Sequence, residues 1–251
     1  MPSRLRPLAD HPILLARRGA SAHAPEHSPE AYELAARLGA TGVSGDAWLT
    51  VDGVVVLRSE GTVGGRLRRR KIAQLTAEEV ISDGTDATRL EDAAAHGHAL
   101  VLDVRDPQVV GPALEAARRS GLIDRLWLRH PDLDALTEWR SSSEAVHLVH
   151  SSRLTSLPGG PERHAAELRA RSIDALHLAP RDWTGGLTTL LHRFGRQAWG
   201  GPAEHERAVV ELLDAGIDAV ESPHVDRLVD AAARVASARG ATPPPTARRD
   251  G

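Results

Sequence analysis

The residues that follow Ile13-Leu14-Leu15 read ARRGASAHAPEHS, from Ala16 to Ser28. A chain that leaves an apolar run through glycine and small residues is well placed to build a site. The first side chains offered there are Arg17 and Arg18. Arg58, Arg105 and Arg129 likewise fall at or near the ends of apolar runs. A guanidinium stays protonated at any ordinary pH, so it cannot take or give a proton during catalysis. It can hold phosphate or carboxylate in a two-pronged hydrogen bond. Asp46 and Asp103 are carboxylates at comparable positions, at or near the ends of apolar runs. His130, His150 and His177 also fall near run ends and are the side chains suited to acid–base work near neutrality. Two arrangements of these groups remain open at this point. The arginines form an anion site, or they neutralise Asp46, Asp103, Glu26 and Glu221 in internal salt bridges. The histidines form a relocated acid–base set, or they are rim residues with satisfied hydrogen bonds.

The elements that must position these groups follow from hydrophobic patterning. Short, often β-branched runs at Ile13–Ala16, Gly42–Asp46, Val54–Leu57, Leu100–Arg105, Leu126–His130, Val146–His150, Ala175–Leu178, Arg196–Trp199 and Ala219–Glu221 read as strands buried on both faces. Amphipathic segments separate them. Ser28-Pro29 opens the first helix with a capping serine and a proline at its first position, and Thr76–Glu79 is a capping box. Further helices are expected at Pro107–Ser120, Leu133–Arg140, Pro161–Arg171, Leu187–Phe194, Ala203–Ala215 and His224–Arg239. Val51-Asp52-Gly53 is a turn between two extended runs. About eight strand–helix units favour a (β/α)8 barrel, whose site lies at the strand C-terminal ends. One domain is expected over residues 1–240. The segment 241–251, ATPPPTARRDG, is expected to be a disordered tail, and Gly64–Lys71 an exposed basic loop.

Composition narrows the function. A formal charge of −3 over 251 residues gives no basis for wholesale nucleic-acid binding. The absence of cysteine removes disulfides and thiolate chemistry. No apolar run reaches the ~18 residues of a membrane span, and MPSRLRPLADHP lacks the apolar stretch of a signal peptide, so a cytoplasmic protein is expected. There is no phosphate-cradling G-x-x-x-x-G-K-[ST], no G-x-G-x-x-G and no G-x-S-x-G elbow. Thirteen histidines are present without tight metal-ligand spacing.

The segment LLARRGASAHAPEHSPEAYELAARLGATGVSGDAWLTVDGVVVL resembles the opening of the glycerophosphodiester phosphodiesterase family. The shared frame is x-R-G-A, A-P-E-x-[ST], a helix ending in G-A, and an L-T-x-D-G-V-x-V hairpin. LVLDVRDP and the closing QAWGGPAEHERAVVELLDAGIDAVESPHVDRLVD are also similar to that family. The resemblance implies a (β/α)8 barrel with a small insertion. It also implies metal-assisted hydrolysis of glycerophosphodiesters to an alcohol and glycerol 3-phosphate. That reaction uses two histidines for proton transfer and three carboxylates for a divalent cation such as Mg²⁺ or Ca²⁺. Here Arg17 and Arg58 occupy the histidine positions, Ser59 follows Arg58 in place of an aspartate, and Ser44 replaces one carboxylate. Asp46 and Asp103 remain as metal positions, while Arg18, Glu26, Arg105 and Trp199 are kept in type. His27 stands where the family has asparagine.

These replacements have physical consequences. A positioned acid or base is worth roughly 10²–10⁴ in rate. Two unit charges ~4 Å apart interact by about 4 kcal/mol at an effective dielectric of ~20, so added arginines oppose a cation. The expectation is a catalytically impaired or inactive family member. Its cationic mouth, built from Arg17, Arg18, Arg58, Arg105 and Trp199, would hold a phosphate-bearing small molecule or a protein partner. One alternative is a hydrolase using His130, His150 or His177 with metal on Asp46 and Asp103. The other is a non-catalytic interaction protein whose mouth is closed by salt bridges.

Overall fold

Buried on both faces, the short apolar runs leave their backbone polar groups only one another to bond with, and closure of a parallel sheet satisfies them all. The computed structural model describes residues 5–65, 69–82, 86–95 and 99–240. The barrel strands and their hairpin partner are β1 (Ile13–Arg17), β2 (Gly42–Leu49) and β3 (Val55–Leu57). Short strands β4 (Thr62–Val63), β5 (Arg70–Lys71) and β6 (Thr88–Arg89) follow. The rest of the barrel is β7 (Ala99–Val104), β8 (Leu126–His130), β9 (His147–Ser151), β10 (Ala175–Leu178), β11 (Gln197–Gly200) and β12 (Ala219–Ser222). Strands β1 and β12 pair in parallel, and β1 also pairs in parallel with β2, so the ring β1-β2-β7-β8-β9-β10-β11-β12 is closed. The first half of the eight-residue β2 closes the barrel, while its second half carries the antiparallel β3. The (β/α)8 expectation therefore holds.

Helices α1 (Pro29–Leu38), α2 (Ala77–Ser82), α3 (Leu90–Ala94), α4 (Val110–Arg119), α5 (Leu133–Ser142), α6 (Gly160–Ala170), α7 (Gly185–Arg193), α8 (Glu206–Asp214) and α9 (Val225–Ala238) complete the chain. The Ser28 hydroxyl accepts from the Ala31 amide at 3.1 Å, and Thr76 and Glu79 form the expected reciprocal cap. Helix α8 starts three residues later than the pattern suggested. The Ala203 amide donates to the Glu221 carbonyl at 2.8 Å and the Ser222 hydroxyl donates to the Ala203 carbonyl, so this stretch is tied to β12 as loop. Strands β4 and β5 pair with each other and sit over a small apolar cluster of Val56, Val63, Ile72, Leu75 and Val80. This is the small insertion, and it takes in part of the stretch expected as a basic loop. His96, His98 and the 241–251 tail lie outside the described residues.

Two apolar layers hold the barrel. The larger lies between strands and helices. The smaller is the barrel floor, made by Leu15, Val101, Trp127, Val149, Ala175, Trp199 and Ala219. Among the described residues no helix is long and apolar enough to cross a membrane.

Candidate functional site

Side chains alternate along a strand, so the residue two positions after each floor residue also points inward, one layer nearer the strand C-terminal ends. From Leu15, Val101, Trp127, Val149, Ala175 and Ala219 this gives Arg17, Asp103, Arg129, Ser151, His177 and Glu221. All six line one cavity of about 320 Å³, together with Arg18, Asp46, Arg105, His130, Pro131 and Pro202. Arg17 and Asp103 thus share one rim, as the barrel reading required. The corresponding residue after Trp199 is Gly201, where a Cβ would lie 2.6 Å from that of Glu221. Glycine leaves the room that Glu221 occupies.

The mouth contains two salt-bridge systems. In the first, Arg18 Nε donates to Asp46 Oδ2 at 2.9 Å and Arg105 Nε donates to Asp46 Oδ1 at 2.7 Å. Arg18 Nη1 also reaches Glu26 at 2.6 Å, and the Ser59 hydroxyl donates to the same Glu26 oxygen. Arg18 adopts a left-handed backbone, φ 56°, which aims its guanidinium at both carboxylates. Such a conformation costs on the order of 1 kcal/mol or more and persists only when contacts over-determine it. Burial pushes the Asp46 carboxyl up, but the contact with His27 and the Arg18 and Arg105 charges bring it down to about 2. In the second system Arg129 Nε and Nη2 donate to the two oxygens of Asp103, each at 2.6 Å. Its Nη2 also reaches Glu221 Oε1 at 2.9 Å, and the Ser44 hydroxyl donates to that oxygen. Burial opposes ionisation of both Arg129 and Glu221, yet attraction wins: Asp103 and then Glu221 hold Arg129 well above the usual arginine value, and Arg129 with His177 holds Glu221 well below the usual carboxylate range.

Arg17 is different. It lines the mouth, yet its guanidinium makes no hydrogen bond or ion pair among the described residues. The cavity lining carries four arginines against three carboxylates, Asp46, Asp103 and Glu221. Glu26, bonded to Arg18 from outside the cavity, brings the local sum to zero. The mouth is therefore not a strongly cationic bowl. Among the described residues it is a neutralised network with one uncommitted guanidinium, that of Arg17.

Several expected site residues are placed elsewhere. Arg58 does not line the cavity. It turns to Asp86, at 2.7 Å, because β3 lies outside the ring. Trp199, expected at the pocket, is fully buried in the barrel floor, 4.6 Å from the Trp127 ring, since its parity puts it one layer below the mouth. The three histidines do not face the mouth together. Val149 is inside, so His150 points outward, where its Nδ1 lies 3.1 Å from His164 Nε2 on α6. His130 reaches the rim, but its ring packs edge-on against Trp139 and its Nδ1 accepts from the Asp132 amide. Only His177 is both inward and at the mouth. Burial and the nearby Arg129 lower its proton affinity, against the pull of Glu221. Ser151, which no sequence pattern singled out, lies with its hydroxyl 3.3 Å from His177 Nδ1. The period-two rule counted from Val149 is the signal that could have found it.

These contacts bear on the divalent cation that the family resemblance implies. Every oxygen of Asp46 and Asp103 already accepts from a guanidinium, and the Ser44 hydroxyl is turned to Glu221. Hard divalent cations need several free anionic oxygens. The mouth as built does not fit one.

Residues 18–107 match the model of the glycerophosphoryl diester phosphodiesterase family. A stretch of 74 residues is 45% identical to the Mycobacterium tuberculosis protein named "Probable glycerophosphodiester phosphodiesterase 1", and spans 27% of this chain and 27% of that relative. The fold is similar to that of the Thermotoga maritima glycerophosphodiester phosphodiesterase, with a TM-score of 0.73 at 21% identity over 88% of this chain and 98% of that one. It is also similar to an Oleispira antarctica phosphodiesterase in complex with sn-glycerol-3-phosphate, with a TM-score of 0.73 at 16% identity over 88% and 96%. The structural likeness covers 88% of this chain, and the matched segment contains Arg18 together with β2 and β7, the strands that bring Asp46 and Asp103 to the mouth. Over residues 18–107 the chain therefore carries a segment of the glycerophosphoryl diester phosphodiesterase family, within a barrel of the same fold as these phosphodiesterases.

Proposed function

We propose that this chain is a family member impaired in hydrolysis whose mouth holds the phosphate group of a small organophosphate of the glycerol 3-phosphate type. The observation that carries this reading is the division of labour among the arginines. Arg18, Arg105 and Arg129 take the oxygens that a catalytic cation would need, while Arg17 stands in the same cavity without a partner among the described residues. A guanidinium there can bind phosphate oxygens without any proton transfer, and the Ser151 hydroxyl is a second donor on the opposite wall. The product bound by the Oleispira antarctica relative supports this ligand class.

The relation of Ser151, His177 and Glu221 favours a second reading, slow metal-free phosphodiester hydrolysis. His177 Nδ1 faces the Ser151 hydroxyl at 3.3 Å, and its Nε2 faces Glu221 at 3.7 Å. In that reading His177 accepts the Ser151 proton as the oxygen attacks phosphorus, then returns it to the departing alcohol. Water afterwards releases the phosphoryl group by the reverse proton path. The electrostatics oppose it. Arg129 already neutralises Glu221, so an imidazolium at His177 has little net charge to stabilise it.

Two measurements test the proposal. Glycerol 3-phosphate in chelator should raise the wild-type melting temperature with concentration, following mass action, and the effect should weaken with salt. Arg17→Ala should abolish that shift without lowering the ligand-free melting temperature, because Arg17 holds no carboxylate. An unchanged shift in Arg17→Ala would remove the anion site. Hydrolysis of glycerophosphocholine with Mg²⁺, Ca²⁺ or Mn²⁺ should run at least ~10²-fold below an active relative. Rates within tenfold of that relative would refute impairment. Slow hydrolysis that persists in chelator and is lost in His177→Ala would support the Ser–His reading, and metal-dependent hydrolysis lost in Asp46→Ala a metal mechanism.

A further inference from the structure

The loop after β1 and the loop after β12 meet on the barrel face that also carries the mouth. There His23, His224 and Asp226 place one ligand atom each within 4.8 Å of one another. We propose that these three residues form a binding site for a borderline transition-metal ion, with Zn²⁺ the best-suited occupant. None of them belongs to the mouth network or lines its cavity.

The chemistry of the donors selects the ion. Two imidazole nitrogens and one carboxylate suit Zn²⁺ and its neighbours, whereas Mg²⁺ and Ca²⁺ need a shell of oxygen. The geometry is close to what tetrahedral binding requires. Ligands ~2.0–2.1 Å from zinc lie about 3.3 Å from each other. His23 Nε2 and Asp226 Oδ1 are 2.9 Å apart, and the His23 and His224 rings stand nearly perpendicular at 83°. Rotation of half-exposed side chains covers the remaining difference.

The backbone beneath is already fixed. The Ala22 amide donates to the Pro223 carbonyl at 3.2 Å, which ties the two loops one residue away from each histidine. The His224 amide donates to the Ser222 hydroxyl at 3.1 Å, and that hydroxyl donates in turn to Ala203. The opposing charge is Arg227, which lies near Asp226 but is exposed, and water screens it. Three protein ligands leave the fourth position of a tetrahedral ion for water or an external anion. Bound metal would clip the loop that carries Arg18 and Glu26 to the start of α9, and so stiffen one wall of the mouth.

Isothermal titration of chelator-stripped full-length protein with ZnCl₂ tests the assignment. One zinc per chain is expected, with no heat from MgCl₂. His23→Ala, His224→Ala and Asp226→Asn should each weaken binding by about tenfold or more. The exposed His205→Ala should bind as wild type. Thermal unfolding in chelator, expected to be near wild type for all variants, shows that they fold. Co²⁺ provides an independent readout, since its visible absorption should report nitrogen ligation and vanish in His23→Ala. Absence of zinc binding, more than one equivalent site, or unchanged affinity in any of the three ligand variants would overturn the proposal. Phosphate binding through Arg17 is untouched by these variants, so failure here leaves that reading standing.

Discussion

Arg129→Met is the most informative perturbation of the mouth. The Arg129 side chain is 5% exposed and bonds both oxygens of Asp103 as well as Glu221. Methionine has a comparable apolar stem, so the loss is mainly electrostatic. Removing one partner of a buried ion pair costs about 3–5 kcal/mol, because it strands the remaining charge. Here two carboxylates are stranded. Asp103 is 23% exposed and can gain water, whereas Glu221 at 2% cannot. In a chain of this size each kcal/mol is worth about 2–4 °C, so the melting temperature should fall by about 6–20 °C. The pH dependence has a definite sign. In the wild type Glu221 titrates well below its ordinary value, so its stabilisation is present above the unfolded pKa and lost as pH falls through the folded one. In Arg129→Met the stranded Glu221 titrates above its ordinary value, and acid relieves the variant by protonating it. Urea unfolding at pH 7.5 and pH 5 should therefore show the gap between the two proteins narrowing in acid. Ca²⁺ should stabilise the variant and leave the wild type unchanged, because only the variant has free carboxylate oxygens in the mouth. A cost under about 1 kcal/mol, or a gap that does not narrow in acid, would refute the reasoning that Arg129 occupies a cation's place.

Two other perturbations address the surrounding structure. Burial and the neighbouring His164 push His150 down to about 4. Its contribution is fully present above the ordinary histidine value of ~6.5 and is lost as pH falls towards the folded one, by about 3 kcal/mol in all, so urea unfolding of His150→Asn from pH 7.5 to 4.5 should show a flatter profile than the wild type. Gly19→Ala places a Cβ 2.7 Å from the Ala31 backbone at φ 77°, so it should destabilise by about 2–4 kcal/mol, and a calorimetric change under 1 kcal/mol would show that α1 can move away.

The sequence alone determined the barrel, because each strand and helix carries its own signal. The run ILLAR ends where small residues begin, Ser28-Pro29 starts α1, and the ordered alternation admits few topologies. It also determined which chemistry was available. No histidine stands at positions 17 or 58, and the acids left at the mouth are few. Tertiary structure decided which groups meet. Asp103 and Arg129 become neighbours only through the register of β7 against β8. Glu221 reaches Arg129 only because the ring closes, across 92 positions of chain. His150 and His177 looked alike as strand-end histidines, yet one is turned to the helices and the other to the mouth. A strand's alternation sorts side chains into two sets, but only packing on the floor of the barrel says which set is inside. For the same reason Arg17 and Arg18, adjacent in sequence, divide into a free guanidinium and a clamped one. Arg17 follows the inward parity of β1, whereas Arg18 sits where the backbone turns left-handed and reaches Asp46 and Glu26.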